Sequence, residues 1–236
     1  MKKVAVVGAG GYVGSALAHV FGSLPQYELS AVTRENYAEM QKGAYDFLIN
    51  AAMPSGRFWA KNNPAQDFLE TVKKTADLIY GWKYKKFVQI SSISARSQLD
   101  TVYGRHKAAA EKLCTFENAL IVRLGPMYSY GLKKGVLMDM LDNKTVFVDG
   151  ESRYCFTPLE YVTNWISSHL DRSGIVEVGA HDAMELKDVA RHIGADISFE
   201  GAVDHQEIEN PPDDAPDSKD VLRFLDAMKK LPTNHE

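Results

Sequence analysis

Val4-Ala5-Val6-Val7 is an unbroken apolar run that stops at glycines, and from Tyr12 to about Ser23 the apolar positions recur at helical spacing. The pattern predicts strand, turn and helix. Pro25-Gln26 turns the chain, and Glu28 to Val32 reads as a second strand that ends at Thr33-Arg34. Arg34 and Asp46 are then too close in sequence for the helix and strand of a full crossover, so the sheet is expected to be trimmed there. Phe47-Leu48-Ile49 continues as a strand into Asn50-Ala51-Ala52, and Pro54 to Pro64 reads as loop. From Pro64, Phe68, Val72, Leu78 and Ile79 predict one long helix.

Phe87-Val88-Gln89-Ile90 is the next strand and ends in Ser91-Ser92, while Ala119 to Leu124, Val146 to Val148 and Ile175 to Val178 add three more. Thr157, Pro158 and Glu160 form one helix start, and Asp182 with Glu185 form another that runs to Ile193 and stops at Gly194. Residues 204–220 are acidic and proline-rich and read as extended loop, with Ser218 capping a last helix through Met228. Strands that alternate with helices predict an α/β doubly wound parallel sheet.

At 236 residues the chain is long enough for one large α/β domain, or for a main domain with a small second lobe. A net charge of −4 supplies no general attraction to nucleic acid or to an anionic membrane. Phosphate binding must therefore come from local groups. Cys114 and Cys155 have no C-x-x-C spacing, so a disulfide framework or a metal site is not expected and a reducing cytoplasm fits. Met1-Lys2-Lys3 before an apolar run superficially suggests a leader, against which the early glycines and His19 argue. No apolar run is long enough to cross a bilayer.

The turn Gly8-Ala9-Gly10-Gly11-Tyr12-Val13-Gly14 carries the first chemical signal. A Cβ at Gly8 or Gly11 would hold the backbone away from a pyrophosphate, Gly14 lets the helix pack on the strand, and the helix N-terminus attracts an anion. The spacing is G-x-x-G-x-x-G. At the end of the second strand an acidic residue would accept from a ribose 2′-hydroxyl, whereas an arginine accommodates a 2′-phosphate. Val32 and Thr33 are not acidic and Arg34 follows, so NADP is favoured over NAD, with Glu35 keeping NAD open. The small residues of Asn50-Ala51-Ala52 would let a cofactor lie against that strand end.

Tyr103 and Lys107 are four apart and share one helix face. A tyrosine with a pKa near 10 carries protons poorly at neutral pH, and an ammonium one turn away favours its phenolate. Ser92 could hydrogen-bond the substrate oxygen that Tyr103 protonates. Each feature alone is common on loops and exposed helices. Their order along the chain is informative.

The glycine turn, Ile90-Ser91-Ser92 and Tyr103-Gly104-Arg105-His106-Lys107 together resemble the extended short-chain dehydrogenase/reductases, in particular the NAD-dependent epimerase/dehydratase group that acts on nucleotide sugars. The resemblance covers roughly residues 1–125 and implies a Rossmann-type domain there, with a small, partly interleaved substrate lobe over 126–236. It implies Tyr103 as acid/base, Lys107 on the nicotinamide ribose, and Ser92, with Ser91 as the alternative, on the substrate oxygen. It further implies cofactor contacts along Gly8, Gly10, Gly11, Tyr12, Val13 and Gly14, then Thr33, Arg34, Asn50, Ala51 and Ala52. Arg153 would hold a substrate diphosphate, with a surface salt bridge as the competing reading.

The implied activity is NADPH-dependent reduction of a keto-sugar nucleotide, because Tyr103-Gly-Arg-x-Lys107 with Glu111 is similar to the 4-keto-sugar reductases. The asparagine that many epimerases carry near Gly125 is missing, and Ile93-Ser94 replaces the acidic pair of the dehydratases. A NAD-dependent epimerase and a non-catalytic NAD(P)-binding regulator are the alternatives. The family commonly dimerises through helices that would here span Pro64 to Tyr80 and Tyr103 to Glu117.

Overall fold

The computed structural model describes residues 1–230, and the chain divides into two units. The first comprises Met1–Leu124 with Val162–Val176, and the second Gly125–Tyr161 with the described residues from Glu177 onward. In the first, β1 (Lys2–Val7), α1 (Tyr12–Ser23), β2 (Tyr27–Val32), α2 (Tyr37–Met40), β3 (Ala44–Asn50), α3 (Arg57–Asn62), α4 (Pro64–Phe68) and α5 (Lys74–Gly81) follow in order. A π-helical turn, Leu69–Lys73, joins α4 to α5. Then come β4 (Lys83–Ser92), α6 (Ser94–Ser97), α7 (Val102–Leu113) and β5 (Ala119–Leu124).

The strands form one sheet in the order β2-β1-β3-β4-β5, extended beyond β5 by Gly174–Val178. Neighbours from β2 to β5 pair in parallel. Parallel strands covered on both faces need near-continuous apolar sequence, and Val4–Val7, Leu48, Ile49, Phe87, Val88, Leu120 and Val122 are all buried. Helix α1 meets the sheet through Leu17 and Phe21, one turn apart and fully buried. These elements are the expected Rossmann-type α/β sheet, with β2 at its edge.

The crossover after β2 is a single turn of helix, α2. The indole of Trp82 donates to the Tyr37 hydroxyl at 3.0 Å and packs edge-on against its ring, which anchors this turn on the far end of α5. The segment expected to be loop between Pro54 and Pro64 contains α3 instead. The long helix from Pro64 exists, interrupted by the π turn, and of its expected apolar positions it buries Leu78 fully, Val72 and Ile79 partly, and leaves Phe68 exposed. Asp67, Thr71, Thr75 and Leu78 are fully buried, whereas Phe68 and Leu69 are each 46% exposed.

In the second unit an apolar cluster of Leu137, Met140, Tyr154, Phe156, Leu186, Val189, Ile193, Val221 and Leu225 joins helices Val136–Leu141, Leu186–Ile193 and Asp220–Lys230. Gly194 ends its helix in the left-handed conformation, φ 62°, which a glycine adopts without strain. Val146–Val148 is not a strand; Val146 alone makes a bridge, to Phe199. Asp182 and Ser218 act across the unit rather than at their helix starts. The Asp182 carboxylate accepts from Ser218 N–H, and the Ser218 hydroxyl donates to Tyr154 O and accepts from Phe156 N–H. Thr157 lies in a two-residue strand, and the helix after it begins at Leu159.

Candidate active site

The glycine turn is fixed by hydrogen bonds and by a lack of room. Gly8 and Ala9 N–H donate to Val32 O at 3.0 and 3.1 Å, and Gly11 N–H donates to Gly8 O at 2.9 Å. Gly8 has φ +88°, and a Cβ there would lie 2.7 Å from Ala51 O and Ala52 Cα. A Cβ on Gly14 would lie 2.0 Å from Gly8 O. One on Gly10 would meet nothing within 4 Å, so sterics select the 8, 11, 14 register. Helix α1 starts at Tyr12 and Val13 with no side-chain cap and no acid in its first turn. Its N-terminal N–H groups and positive dipole end are thus not answered by a carboxylate of the helix itself.

Asn50 is completely buried and its amide is used internally, donating to Thr75 Oγ1 at 3.2 Å and to Gln89 Oε1 at 3.0 Å. Its Oδ1 accepts from Ala52 N–H at 3.1 Å, and Ala51 N–H reaches Val7 O at 2.9 Å. The side chain therefore sets the position of Ala51 and Ala52 beneath Gly8. At the end of β2, Asn36 holds the turn by accepting from Thr33 N–H and donating to Ala31 O. Thr33 donates to the Glu35 carboxylate, which with Arg34 nearby lies below the usual carboxylate pKa. Arg34 is exposed.

Thr101 caps α7 by accepting from Gly104 N–H at 3.0 Å. Gly104 is required by packing, since a Cβ would sit 2.0 Å from Gln98 O. This close contact against α6 lets α7 carry Tyr103 to the end of β4, where its hydroxyl hydrogen-bonds Ser92. Ser92 Oγ also lies 3.2 Å from Ser94 Oγ and accepts from Ser94 N–H. Ser91, the other candidate, points elsewhere: it donates to Glu111 at 2.6 Å. The Lys107 ammonium donates to Pro54 O at 2.8 Å and stands 5.1 Å from the Tyr103 ring centroid.

Burial raises the Tyr103 pKa, while the Ser92 hydrogen bond and the Arg57 charge act to lower it. Burial also pushes Lys107 down to about 7, against the pull of Asp67 and Glu111. Among the charges that act on the phenol, Arg57 lowers its pKa and Asp67 raises it. Sequence reasoning missed Arg57, the Pro54 carbonyl, Asp67 and His106. Arg57, Pro54 and Asp67 come from segments outside the motif, and His106, though inside it, is marked only by its contact with Asp67. Arg153 lies in the second unit, where its Nε pairs with Glu207 at 3.0 Å and its side chain is about half exposed.

Among the described residues no helix is long and apolar enough to cross a membrane. No family model and no curated protein sequence matches the chain. Solved structures do. RMD from Pseudomonas aeruginosa, solved with NADPH, shares 17% identity at a TM-score of 0.76, over 98% of this chain and 100% of that one. A dTDP-4-dehydrorhamnose reductase from Clostridium acetobutylicum shares 13% identity at a TM-score of 0.75, over 96% and 99%. A UDP-N-acetylglucosamine 4-epimerase from Methanobrevibacter ruminantium, solved with UDP-N-acetylmuramic acid, shares 14% identity at a TM-score of 0.73, over 95% and 96%. Along nearly its whole length, this chain has the fold of the extended short-chain dehydrogenase/reductases.

Proposed function

We propose that the protein is an NADPH-dependent reductase of a keto-sugar nucleotide. The observation that carries this reading is the set of part-buried Ser92 with buried Tyr103 and Lys107, supplied by the end of β4 and one face of α7. The structures solved with NADPH and with a UDP-sugar support the same ligands for this fold.

A dinucleotide would lie against the glycine turn, which Gly8 and Gly14 hold close to neighbouring backbone while Gly10 borders open space, and the start of α1 offers N–H donors. Gly8 to Gly14 with Ala51 and Ala52 would hold it, Thr33 and Arg34 would meet the 2′-phosphate, and Lys107 the nicotinamide ribose. When bound, the nicotinamide supplies a hydride. Tyr103 gives its hydroxyl proton to the carbonyl oxygen as that oxygen becomes an alcohol, so the acid must be protonated beforehand. Its burial keeps it so. Ser92 donates a hydrogen bond to the same oxygen and fixes its direction. Arg153 would pair with the substrate diphosphate by exchanging Glu207 for it.

A NAD-dependent epimerase is the second reading, favoured by the carboxylate of Glu35 at the end of β2. The two separate in one assay. The purified protein is mixed with NADPH and a panel of 4-keto-sugar nucleotides, and loss of NADPH absorbance is followed. Stoichiometric consumption with at least one of them is expected. No consumption, together with interconversion of sugar epimers at constant NAD, establishes the epimerase instead.

A further inference from the structure

Ser94 opens α6, two residues past the end of β4, and is 2% exposed. Its backbone is held from two sides. Gln98 N–H donates to Ser94 O at 3.1 Å, and Gly104, the residue after Tyr103, packs so close that a Cβ there would lie 2.6 Å from the same oxygen. Ile93 N–H donates to Leu124 O at 3.1 Å, which carries the line of β4 one residue past Ser92. Ser94 therefore has a fixed place between the end of β4 and the first turn of α7.

A serine hydroxyl has one proton to give and two lone pairs with which to accept. Ser94 N–H donates to Ser92 Oγ at 3.2 Å, and Ser92 gives its own proton to Ser94 Oγ, also at 3.2 Å. Tyr103 hydrogen-bonds Ser92 as well, so with the Ser92 proton on Ser94 the phenol is the donor. All three positions on Ser92 are then in use. Of the polar side chains beside it in sequence, Ser91 and Ser97 give their protons to Glu111 and to Ile93 O, and the guanidinium of Arg96 can only donate. Ser94 is the acceptor for the Ser92 proton.

Reduction needs that proton elsewhere. Ser92 has to donate to the substrate oxygen, and Tyr103 hands its proton to the same oxygen, which opens one lone pair on Ser92. The Ser94 hydroxyl can fill it by rotating about its Cβ–Oγ bond, because the one contact serves in either direction. Ser92 then accepts twice from Ser94 and donates once to the substrate. Hydrogen bonds that run in one direction along such a chain strengthen the last donor.

We propose that Ser94 is a positioning residue, whose hydroxyl holds the Ser92 proton at rest and donates to Ser92 Oγ once that proton turns to the substrate oxygen. The turn rests on the reductase reading above. The resting contact does not.

Ser94→Ala removes the hydroxyl and keeps the N–H. Its kcat with NADPH and a keto-sugar nucleotide is expected to fall roughly 3- to 10-fold, the worth of one hydrogen bond, with the KM for NADPH unchanged. In the cycle with Ser92→Ala the two losses are expected not to add, the double variant turning over as Ser92→Ala does. Additive losses overturn the proposal, because a residue that only packs α6 on α7 slows both backgrounds alike; a kcat equal to that of the wild type overturns it too. The resting contact is read without substrate, from the 13Cβ signals of serine-labelled protein in equal H2O and D2O, where a slowly exchanging hydroxyl splits its Cβ line. The Ser92 line, assigned by its loss in Ser92→Ala, is expected to be split in the wild type and single in Ser94→Ala. A line that is single in the wild type, or split in both, overturns the proposal. A wild type that consumes no NADPH defeats the reductase reading, and the Ser92 line still decides the resting contact.

Discussion

Tyr103→Phe is expected to lower turnover by roughly 100- to 10,000-fold, the usual share of a positioned general acid. It should leave NADPH affinity unchanged. The expectation is narrow because the ring is 7% exposed and packed, so the substitution deletes one hydroxyl and leaves the shape of α7 alone. Ser92 keeps its contact with Ser94 and still meets the substrate oxygen. Steady-state NADPH consumption and cofactor titration, run on the same preparation, check both halves. Equal turnover in mutant and wild type would remove Tyr103 from the chemistry and favour a cofactor-binding protein without catalysis.

Glu111→Ala has the second large effect, on stability. Glu111 is 4% exposed and receives three side-chain donors, from Ser91 and from both the Nε and Nη2 of Arg123, whose side chain is itself only 16% exposed. Removing the carboxylate deletes the acceptor of the Nε and Nη2 donors of a guanidinium largely out of water, which costs about 3 kcal/mol or somewhat more. For a chain of this size that is a fall of roughly 6–12 °C in melting temperature. Thermal unfolding followed by circular dichroism measures it. An unchanged melting temperature would mean that water replaces Glu111 at Arg123 and that the network does not hold α7 to β4 and β5.

What could be read from the sequence is what local pattern encodes. The β1 run, the glycines at 8, 11 and 14, the Tyr103 and Lys107 spacing and the Gly194 stop are each decided by residues a few positions apart, and the structure has all four elements. Long-range partners decide the rest. The α2 turn is held by Trp82, far along the chain, so its own residues gave no sign of it. The apolar stripe read for the helix from Pro64 includes Leu78, which is buried, yet the helix also buries Asp67 and Thr75, whose polar contacts His106, Asn50 and Gln89 on other elements supply or share. Ser218 looked like a helix cap, and its hydroxyl instead ties the backbone at Tyr154 and Phe156. Even the site was legible only as residue types. The burial that moves Tyr103 up and Lys107 down is a property of packed elements and is not written in the spacing of the two residues.

The central claim is that the turn from Gly8 to Gly14 binds a nicotinamide dinucleotide and that Arg34 selects its phosphate. It is tested most directly by titrating the purified protein with NADPH and NADH in parallel, following nucleotide fluorescence, for the wild type and Arg34→Ala. The account predicts tighter binding of NADPH than of NADH, with the preference lost in Arg34→Ala. Binding of neither nucleotide would contradict it.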